Sequence, residues 1–293
     1  GPTVAQHFGG GRHRNIGHDT RQGFWLAVLI SIPVIVILRS IEPLVLWMGI
    51  DAEVSALAQG YLDALSWGVV GAYGYHTLKQ MSEGVGRTIP IMVVMGVALP
   101  INVLLNYVFM FGRFGSPPLG AVGCGLGNAV ALWVMFFMLA GYTLRAPHYR
   151  SFGIWRAIER PDFTAIARLV TLGLPIGLSL FLQSGLFTAV ALLMASMGTL
   201  AVAAHQIVLN YSGLVFMVPL GLAMALTVCV GQAIGRSDAG GARRIGYTGI
   251  ILCGSLAAVS GSVTFLCAEN LARIYSDDVA IIALSTHLFR IAA

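Results

Sequence analysis

The stretch LVTLGLPIGLSLFLQSGLFTAVALLMASM, residues 169–197, decides the class of fold, because it carries no charged side chain. About 20 apolar residues are enough to cross ~30 Å of hydrocarbon as a helix that rises ~1.5 Å per residue. The whole chain of 293 residues has a matching composition, with 57% hydrophobic and only 10% charged residues. Soluble domains have roughly 25% charged residues. The sequence therefore predicts a membrane protein.

Seven further apolar runs resemble this one, so we expect about eight transmembrane helices in an all-α polytopic fold. The predicted spans are residues 24–50, 54–78, 89–111, 119–144, 169–197, 200–233, 245–268 and 279–293. A membrane β-barrel would instead show alternating segments of about 10 residues. The last run stops at Ala293 and the first residue is not Met, so we expect an interior piece of a longer protein.

The basic residues indicate which loops face the cytoplasm. If the spans alternate, 13 of the 17 Lys and Arg residues fall in one set of connections, and Arg39, Arg113 and Arg273 fall in the other. Lys and Arg collect in cytoplasmic loops. We therefore expect the Gly1 end to be cytoplasmic. A nucleic-acid partner is not expected, since the basic residues form no soluble face with interleaved aromatic residues.

Two pairs of similar segments suggest an internal repeat. Residues 4–17 resemble residues 230–246, and residues 50–62 resemble residues 276–289, both at an offset of 226 or 227 positions. Chance similarity among Gly, Ala and Val is the alternative. A duplicated half of six helices would give two parallel bundles, which is typical of secondary transporters.

Amide side chains lie deep in several spans, where polar groups usually face a cavity or another helix. Asn102 and Asn106 are four residues apart and therefore share one helix face. Asn128, Gln183 and Gln206 lie in three other spans. Two amide oxygens on one face could complete a cation site if a carboxylate faced them. The alternative for each residue is a hydrogen bond between helices, worth roughly 0.6 to 2 kcal/mol.

An acidic residue, Asp63, also lies well inside a predicted span. Asp63 is about ten residues into its span, and Arg39 and Glu42 lie near the same outer side. Charged groups at the bilayer midplane are costly. We therefore expect Asp63 to face a water-filled vestibule.

Three segments carry a resemblance to a known family. PINVLLNYVFMFGRFGSPPLGAVGCGLGNAVA (residues 100–131), AAHQI (203–207) and VPLGLAMALTVCVGQAIG (218–235) are similar to the multidrug and toxic compound extrusion family in its NorM-like bacterial branch. The resemblance covers essentially the whole chain. It implies twelve helices in two bundles of six, of which this chain would run from the end of the second helix to the start of the tenth.

The resemblance also implies domains and a function. Residues 1–144 would be the remainder of the amino-terminal bundle, residues 145–168 a cytoplasmic linker, and residues 169–293 the first part of the carboxy-terminal bundle. The protein would be a monomer in the lipid of the bacterial inner membrane. It would export small-molecule drugs or organic cations in exchange for Na⁺ or H⁺, without another cofactor.

The resemblance implies site residues only at those positions of the family's sites that this chain contains. The amino-terminal cation site implied by the resemblance would use Asn102, Asn106 and Asn128 around an Asp on the family's first helix, which lies outside this chain. In the carboxy-terminal bundle Gln183 stands where the branch has a Glu, and Gln206 is the second candidate for cation or substrate binding. An amide can coordinate Na⁺ as a neutral dipole but cannot exchange a proton as a carboxylic acid does.

Two other functions are alternatives to export. A flippase for lipid-linked sugars would need a basic central cavity, and an intramembrane enzyme would need a convergent acid, base or metal set. The spans are nearly free of Lys and Arg, and the chain has no HExxH or GxxxxGK[ST] motif. Its four Cys lie inside spans without CxxC spacing, so we expect no metal site. A piece that lacks four helices could also be inactive alone.

Overall fold

Every regular element of the described residues is an α-helix. The computed structural model describes residues 1–47, 49, 51–113, 117–156, 159–196 and 198–292. The predicted span ends Ile50, Met197 and Ala293 lie outside the described residues, as do Ala157 and Ile158 of the predicted linker. The prediction of an all-α fold is confirmed. The helices of the described residues are α1 (Pro2–Gly9), α2 (His13–Arg39), α3 (Glu42–Trp47), α4 (Ala52–Ser66), α5 (Val69–Gly84), α6 (Ile89–Phe111), α7 (Gly120–Arg145), α8 (Pro147–Arg150), α9 (Phe163–Ser196), α10 (Thr199–Gly235), α11 (Ala239–Leu266), α12 (Ala268–Tyr275) and α13 (Val279–Ala292).

Six helices of the described residues are long and apolar enough to cross a membrane. They are α2, α6, α7, α11 and most of α9 and α10. These six correspond to six of the eight predicted spans. The predicted span 24–50 ends early, because α2 stops at Arg39 and the chain continues as the short helix α3. The predicted span 279–293 corresponds to α13, which has 14 residues.

The predicted span 54–78 is divided into two helices in series. Helix α4 ends at Ser66 and α5 starts at Val69, with Trp67 and Gly68 between them. Helix α7 approaches this break so closely that a Cβ on Gly68 would lie 2.7 Å from the Cα of Ala129. The indole nitrogen of Trp133 donates a 2.9 Å hydrogen bond to the carbonyl oxygen of Trp67. Tertiary contacts with α7 therefore accompany the break.

The chain divides into two compact units, unit 1 (residues 1–169) and unit 2 (residues 170–293). The core of unit 1 includes Ile16 of α2, Leu78 and Met81 of α5 and Leu139 of α7, all almost fully buried. The core of unit 2 is built around Phe289 of α13. The ring of Tyr211 packs edge-on against Phe289 with 5.2 Å between centroids.

The segment after α7 is packed onto unit 1. We call residues 147–156 and 159–162 the strap. Its aromatic residues Tyr149 and Phe152 are buried in the core of unit 1. Its acidic end is bound to α2, since Glu159 accepts a 2.5 Å hydrogen bond from Arg21 and lies 2.7 Å from Nδ1 of His18. The hydrogen bond from Arg21 is the main cause that lowers the pKa of Glu159.

Candidate functional site

Three asparagine side chains meet inside unit 1, and we call them the Asn trio. Asn102 and Asn106 lie on α6 and Asn128 lies on α7. Nδ2 of Asn102 donates a 2.7 Å hydrogen bond to Oδ1 of Asn128, and Nδ2 of Asn106 donates a 3.2 Å hydrogen bond to Oδ1 of Asn102. The structure thus brings together the three residues that the sequence singled out for the amino-terminal site.

The hydrogen bonds of the Asn trio all run in one direction. Asn106 donates to Asn102, Asn102 donates to Asn128, and Nδ2 of Asn128 donates a 3.2 Å hydrogen bond to the phenol oxygen of Tyr61 on α4. Each amide is polarised by its neighbour, which strengthens such chains in a low-dielectric interior. The acceptor end is closed by Tyr61, so the unfilled position lies at the other end, on Asn106.

Oδ1 of Asn106 is that unfilled position. The atom is buried and accepts no hydrogen bond from any described residue. Leaving a buried polar atom unsatisfied costs about 1–3 kcal/mol. An amide oxygen can accept a hydrogen bond or coordinate a cation as a neutral ligand. The site therefore presents one ready acceptor to a donor or cation.

Gly127 allows α7 to approach this oxygen. A Cβ at this position would overlap Oδ1 of Asn106 and would lie 3.1 Å from the backbone nitrogen of Asn106. The contact depends on the absence of a side chain, as in other close helix pairs in membranes. The burial of the Asn106 oxygen is thus tied to one glycine on the facing helix.

Tyr61 is a member of this site that the sequence alone does not indicate. Asp63 is the charged residue of the same helix, whereas a tyrosine inside an apolar run is unremarkable. The two positions differ by about 200° around α4, so their side chains point to different sides of that helix. The sequence does place Tyr61 at a depth similar to that of the three amides. Which helices pack against each other must be known before this depth indicates a contact.

A cavity of about 380 Å³ adjoins the Asn trio. Asn102 and Asn128 contribute to its wall, together with apolar side chains that include Leu99, Leu132 and Met135. Small-molecule sites are usually apolar clefts of roughly 300–1,000 Å³ with a few polar groups. A molecule in this cavity would contact the same amides that form the hydrogen-bonded chain.

The ligand atoms of this site are neutral. Among the described residues there is no group of three or more His, Cys, Asp or Glu side chains that could hold a metal ion. The Asn trio and Tyr61 offer amide and phenol oxygens, which suit a hard cation such as Na⁺. The amides of the Asn trio do not take up or release protons.

The two residues predicted for the carboxy-terminal site lie on separate helices. Gln183 is on α9, where residues 170–189 are exposed throughout, and Gln206 is exposed on α10. Neither side chain forms a hydrogen bond with another described residue, and nothing joins one to the other within that part of the chain. Their role in binding stays a prediction.

Comparison with known sequences gives a family and close relatives. The family model described as MatE matches residues 1–108 and 175–293. The chain is 38% identical over 293 residues to the multidrug resistance protein MdtK of Yersinia enterocolitica and 39% identical to that of Yersinia pseudotuberculosis. Each alignment covers 100% of this chain. The chain spans 64% of the length of these curated relatives.

Comparison with solved structures gives the same fold. The crystal structure of the eukaryotic MATE transporter AtDTX14 matches 99% of this chain, over 64% of its own length, with a TM-score of 0.85 and 18% identity. A crystal structure of MATE in the straight conformation matches with a TM-score of 0.85 and 19% identity over the same shares. At these identities the likeness establishes the helical architecture alone.

Proposed function

The chain belongs to the MatE family, and from this premise we propose that the protein exports organic cations or other amphipathic drugs in exchange for a cation. The resemblance seen in the sequence is confirmed by the family match, and the chain is part of a multi-pass membrane protein. The family consists of transporters and not enzymes, which removes the intramembrane enzyme as an alternative. We place the protein in the bacterial inner membrane as a monomer.

The observation that carries the proposal is the unsatisfied Oδ1 of Asn106 at the start of the Asn trio. In our proposal this oxygen is a ligand of the coupling ion, or accepts a hydrogen bond from the protonated form of the carboxylic acid that binds the ion. A cation near Asn106 would be stabilised by the aligned amide dipoles of Asn102 and Asn128. The adjoining cavity of about 380 Å³ places a drug within reach of the same amides.

Ion and drug would then compete through shared side chains. A cation on Asn106 orients the amides of Asn102 and Asn128, and those two residues also border the cavity. A drug that turns either amide breaks the chain and weakens the hold on the cation. Mutual exclusion of this kind is what antiport requires, since each ligand favours a different state of one site.

Unit 1 carries the coupling in this proposal. Gln183 cannot take up or release a proton, so a proton-binding role at that position of unit 2 is not expected. The Asn trio is completed by the carboxylate that the resemblance places on the family's first helix. Such a carboxylate near Asn106 would allow Na⁺ or H⁺ as the coupling ion.

The flippase alternative would require basic groups for a phosphorylated sugar. Among the described residues, the cavity beside the Asn trio is bordered by amide and apolar side chains and by no Lys or Arg. Phosphate recognition relies on charged donors of that kind. We therefore favour drug export.

Uptake by everted membrane vesicles tests the proposal. A fluorescent cationic dye is added outside vesicles that contain the full-length protein, and its accumulation is driven by an outward Na⁺ or H⁺ gradient. We expect Asn106→Ala to lower ion-driven transport at least about tenfold, because a charge-assisted contact of about 1.5–3 kcal/mol is lost. Asn210→Ala is the control, since Asn210 is an exposed amide of unit 2 whose one hydrogen bond with a described side chain is accepted from Tyr275. Unchanged transport in Asn106→Ala would refute the role of the Asn trio.

A further inference from the structure

Unit 1 has a second cavity, of about 660 Å³, on the other side of α4. Arg39, Asp63 and Trp67 border it, and Val122 and Leu126 of α7 form an apolar wall. The cavity therefore combines a carboxylate, a guanidinium and an indole ring. In a chain with only 10% charged residues, two opposite charges at one cavity need a reason.

Asp63 is held in place by a buried amide. Nε2 of Gln59 donates a 2.7 Å hydrogen bond to Oδ1 of Asp63 and a 3.2 Å hydrogen bond to the carbonyl oxygen of Leu38. Oε1 of Gln59 accepts a 3.0 Å hydrogen bond from the backbone nitrogen of Glu42, and Gln59 is only 8% exposed. The amide of Gln59 is thus held by two backbone groups while it fixes one oxygen of Asp63. The other oxygen of Asp63 accepts no hydrogen bond from a described residue.

Arg39 is positioned with its terminal nitrogens unused. Its Nε donates a 3.0 Å hydrogen bond to Oγ of Ser66, and its guanidinium carbon lies 5.0 Å from the centroid of the Trp67 ring. Within the described part of the chain, its two terminal nitrogens have no hydrogen-bond partner and no ion pair joins them to Asp63. The planar fork that binds a carboxylate with two parallel hydrogen bonds is therefore available.

The residue that holds Arg39 lies about one helical turn from Asp63. Ser66, which holds Arg39, comes three residues after Asp63, and its hydroxyl donates to the carbonyl oxygen of Asp63. Residues three apart on a helix lie about 5 Å from each other on one face. Arg39 and Asp63 form no ion pair among the described residues and border the same cavity, so each is open to one charge of a molecule whose ammonium and carboxylate share one carbon.

This cavity is separate from the Asn trio. Tyr61 and Asp63 are two residues apart on α4, and Leu126 and Asn128 are two residues apart on α7. Two residues correspond to about 200° around a helix, so the members of each pair face opposite sides. The bodies of α4 and α7 lie between the two sites.

We propose that the cavity bordered by Arg39, Asp63 and Trp67 binds aromatic zwitterions. The ammonium group pairs with the free oxygen of Asp63, the carboxylate pairs with the terminal nitrogens of Arg39, and the ring packs against Trp67. Trp67 is 68% exposed, so much of its ring is open to such contact. A simple cation would face the unpaired Arg39, and a simple anion would face Asp63. A zwitterion satisfies both charges at once.

Three indole compounds separate the contributions of the ammonium and the carboxylate to binding. L-tryptophan carries both charges, tryptamine carries only the ammonium, and indole-3-propionate carries only the carboxylate. Equilibrium binding of each radiolabelled compound is measured to the purified full-length protein in lipid nanodiscs at pH 7, without any gradient. We expect L-tryptophan to bind at least about tenfold more tightly than either singly charged compound. Equal affinity for the three compounds would overturn the proposal.

Reciprocal variants identify the site. Asp63→Asn should weaken L-tryptophan about tenfold or more and leave indole-3-propionate no weaker, whereas Arg39→Gln should weaken L-tryptophan and leave tryptamine no weaker. A misfolded protein would lose all three compounds, so the opposite patterns report the site itself. Ala64→Leu keeps both charges and fills the cavity that Ala64 borders, so it should also weaken L-tryptophan.

Asn210→Ala is the control, because Asn210 is an exposed amide of unit 2 that borders neither cavity. It should leave L-tryptophan binding unchanged. Loss of binding in Asn128→Ala with retention in Asp63→Asn would place the ligand at the Asn trio and overturn the proposal. The measurement needs no ion gradient, so its failure is distinct from failure of the proposed antiport.

Discussion

Asn102 and Asn128 are joined by a 2.7 Å hydrogen bond between their amides, which ties α6 to α7 in the interior of unit 1. The bond belongs to a one-way chain that begins at Asn106 and ends at Tyr61. A chain with a fixed direction has a defined free end. Here the free end is an oxygen, which favours a cation or a donor at Asn106.

The middle of the chain should matter more to stability than its end. Asn128→Ala removes the acceptor for Asn102 and the donor to Tyr61, whereas Tyr61→Phe removes one acceptor only. We expect Asn128→Ala to lower the free energy of unfolding by about 1–3 kcal/mol and Tyr61→Phe by about 1 kcal/mol or less. Thermal unfolding of the purified protein in one detergent gives the comparison. A larger effect of Tyr61→Phe would contradict the one-way arrangement.

The close contact at Gly127 predicts that the stability of the protein depends strongly on side-chain size at this position. Gly127→Ala should push α7 away from Asn106 and cost about 1–3 kcal/mol through overpacking. Gly141→Ala is the matched control on the same helix, because a Cβ there meets nothing within 4 Å. That control should be neutral or stabilising by up to about 1 kcal/mol, since alanine is the better helix former. Thermal unfolding of the two variants measures the difference, and equal effects would be inconsistent with the close approach.

The strap should loosen in acid. The hydrogen bond from Arg21 lowers the pKa of Glu159, so the carboxylate stabilises the folded strap above the unfolded pKa and loses this effect as the pH falls through the lower, folded pKa. We expect amide protection of the strap to decrease below about pH 4, the region where carboxylates take up protons. Hydrogen exchange of peptides from residues 147–156 follows this loss.

Two variants of that contact provide the control. Glu159→Gln should show lower protection at pH 7 and little change on acidification, because no proton can be taken up at that position. Arg21→Gln removes the first cause of the lowered pKa and should move the loss of protection to higher pH. A strap whose protection falls equally in wild type and Glu159→Gln would assign the acid response to other groups.

Gln183 can be tested by restoring a carboxylate. In the full-length protein Gln183→Glu should change the pH or Na⁺ dependence of dye export if the position takes part in ion binding, because a carboxylic acid exchanges a proton and an amide does not. Gln183→Leu is the control for packing. Identical pH and Na⁺ profiles for the two variants and wild type would leave helix packing as the role of Gln183.

The sequence predicts those features of the fold and of the site that depend on residues close together in the chain. The pairing of Asn102 with Asn106 follows from the helix period, and the long apolar runs predict α2, α6, α7, α9, α10 and α11. The family resemblance added Asn128 to that pair. These features need only local geometry or a matching motif.

Other features depend on contacts between distant segments. The break at Trp67 and Gly68 lies inside an apolar run. The local sequence does not predict that α7 approaches the chain at this point. Tyr61 and the charged cavity likewise require the register of α4 against α7. Hydrophobic patterns describe which residues avoid water but not which helix faces meet.

The strap is a folded part of unit 1. Tyr149 and Phe152 are buried in its core, the backbone nitrogen of Asp162 donates a hydrogen bond to Gln22, and α9 starts at Phe163. A reporter domain inserted within residues 147–156 would therefore disrupt a folded part of unit 1, whereas a flexible linker would tolerate the insertion.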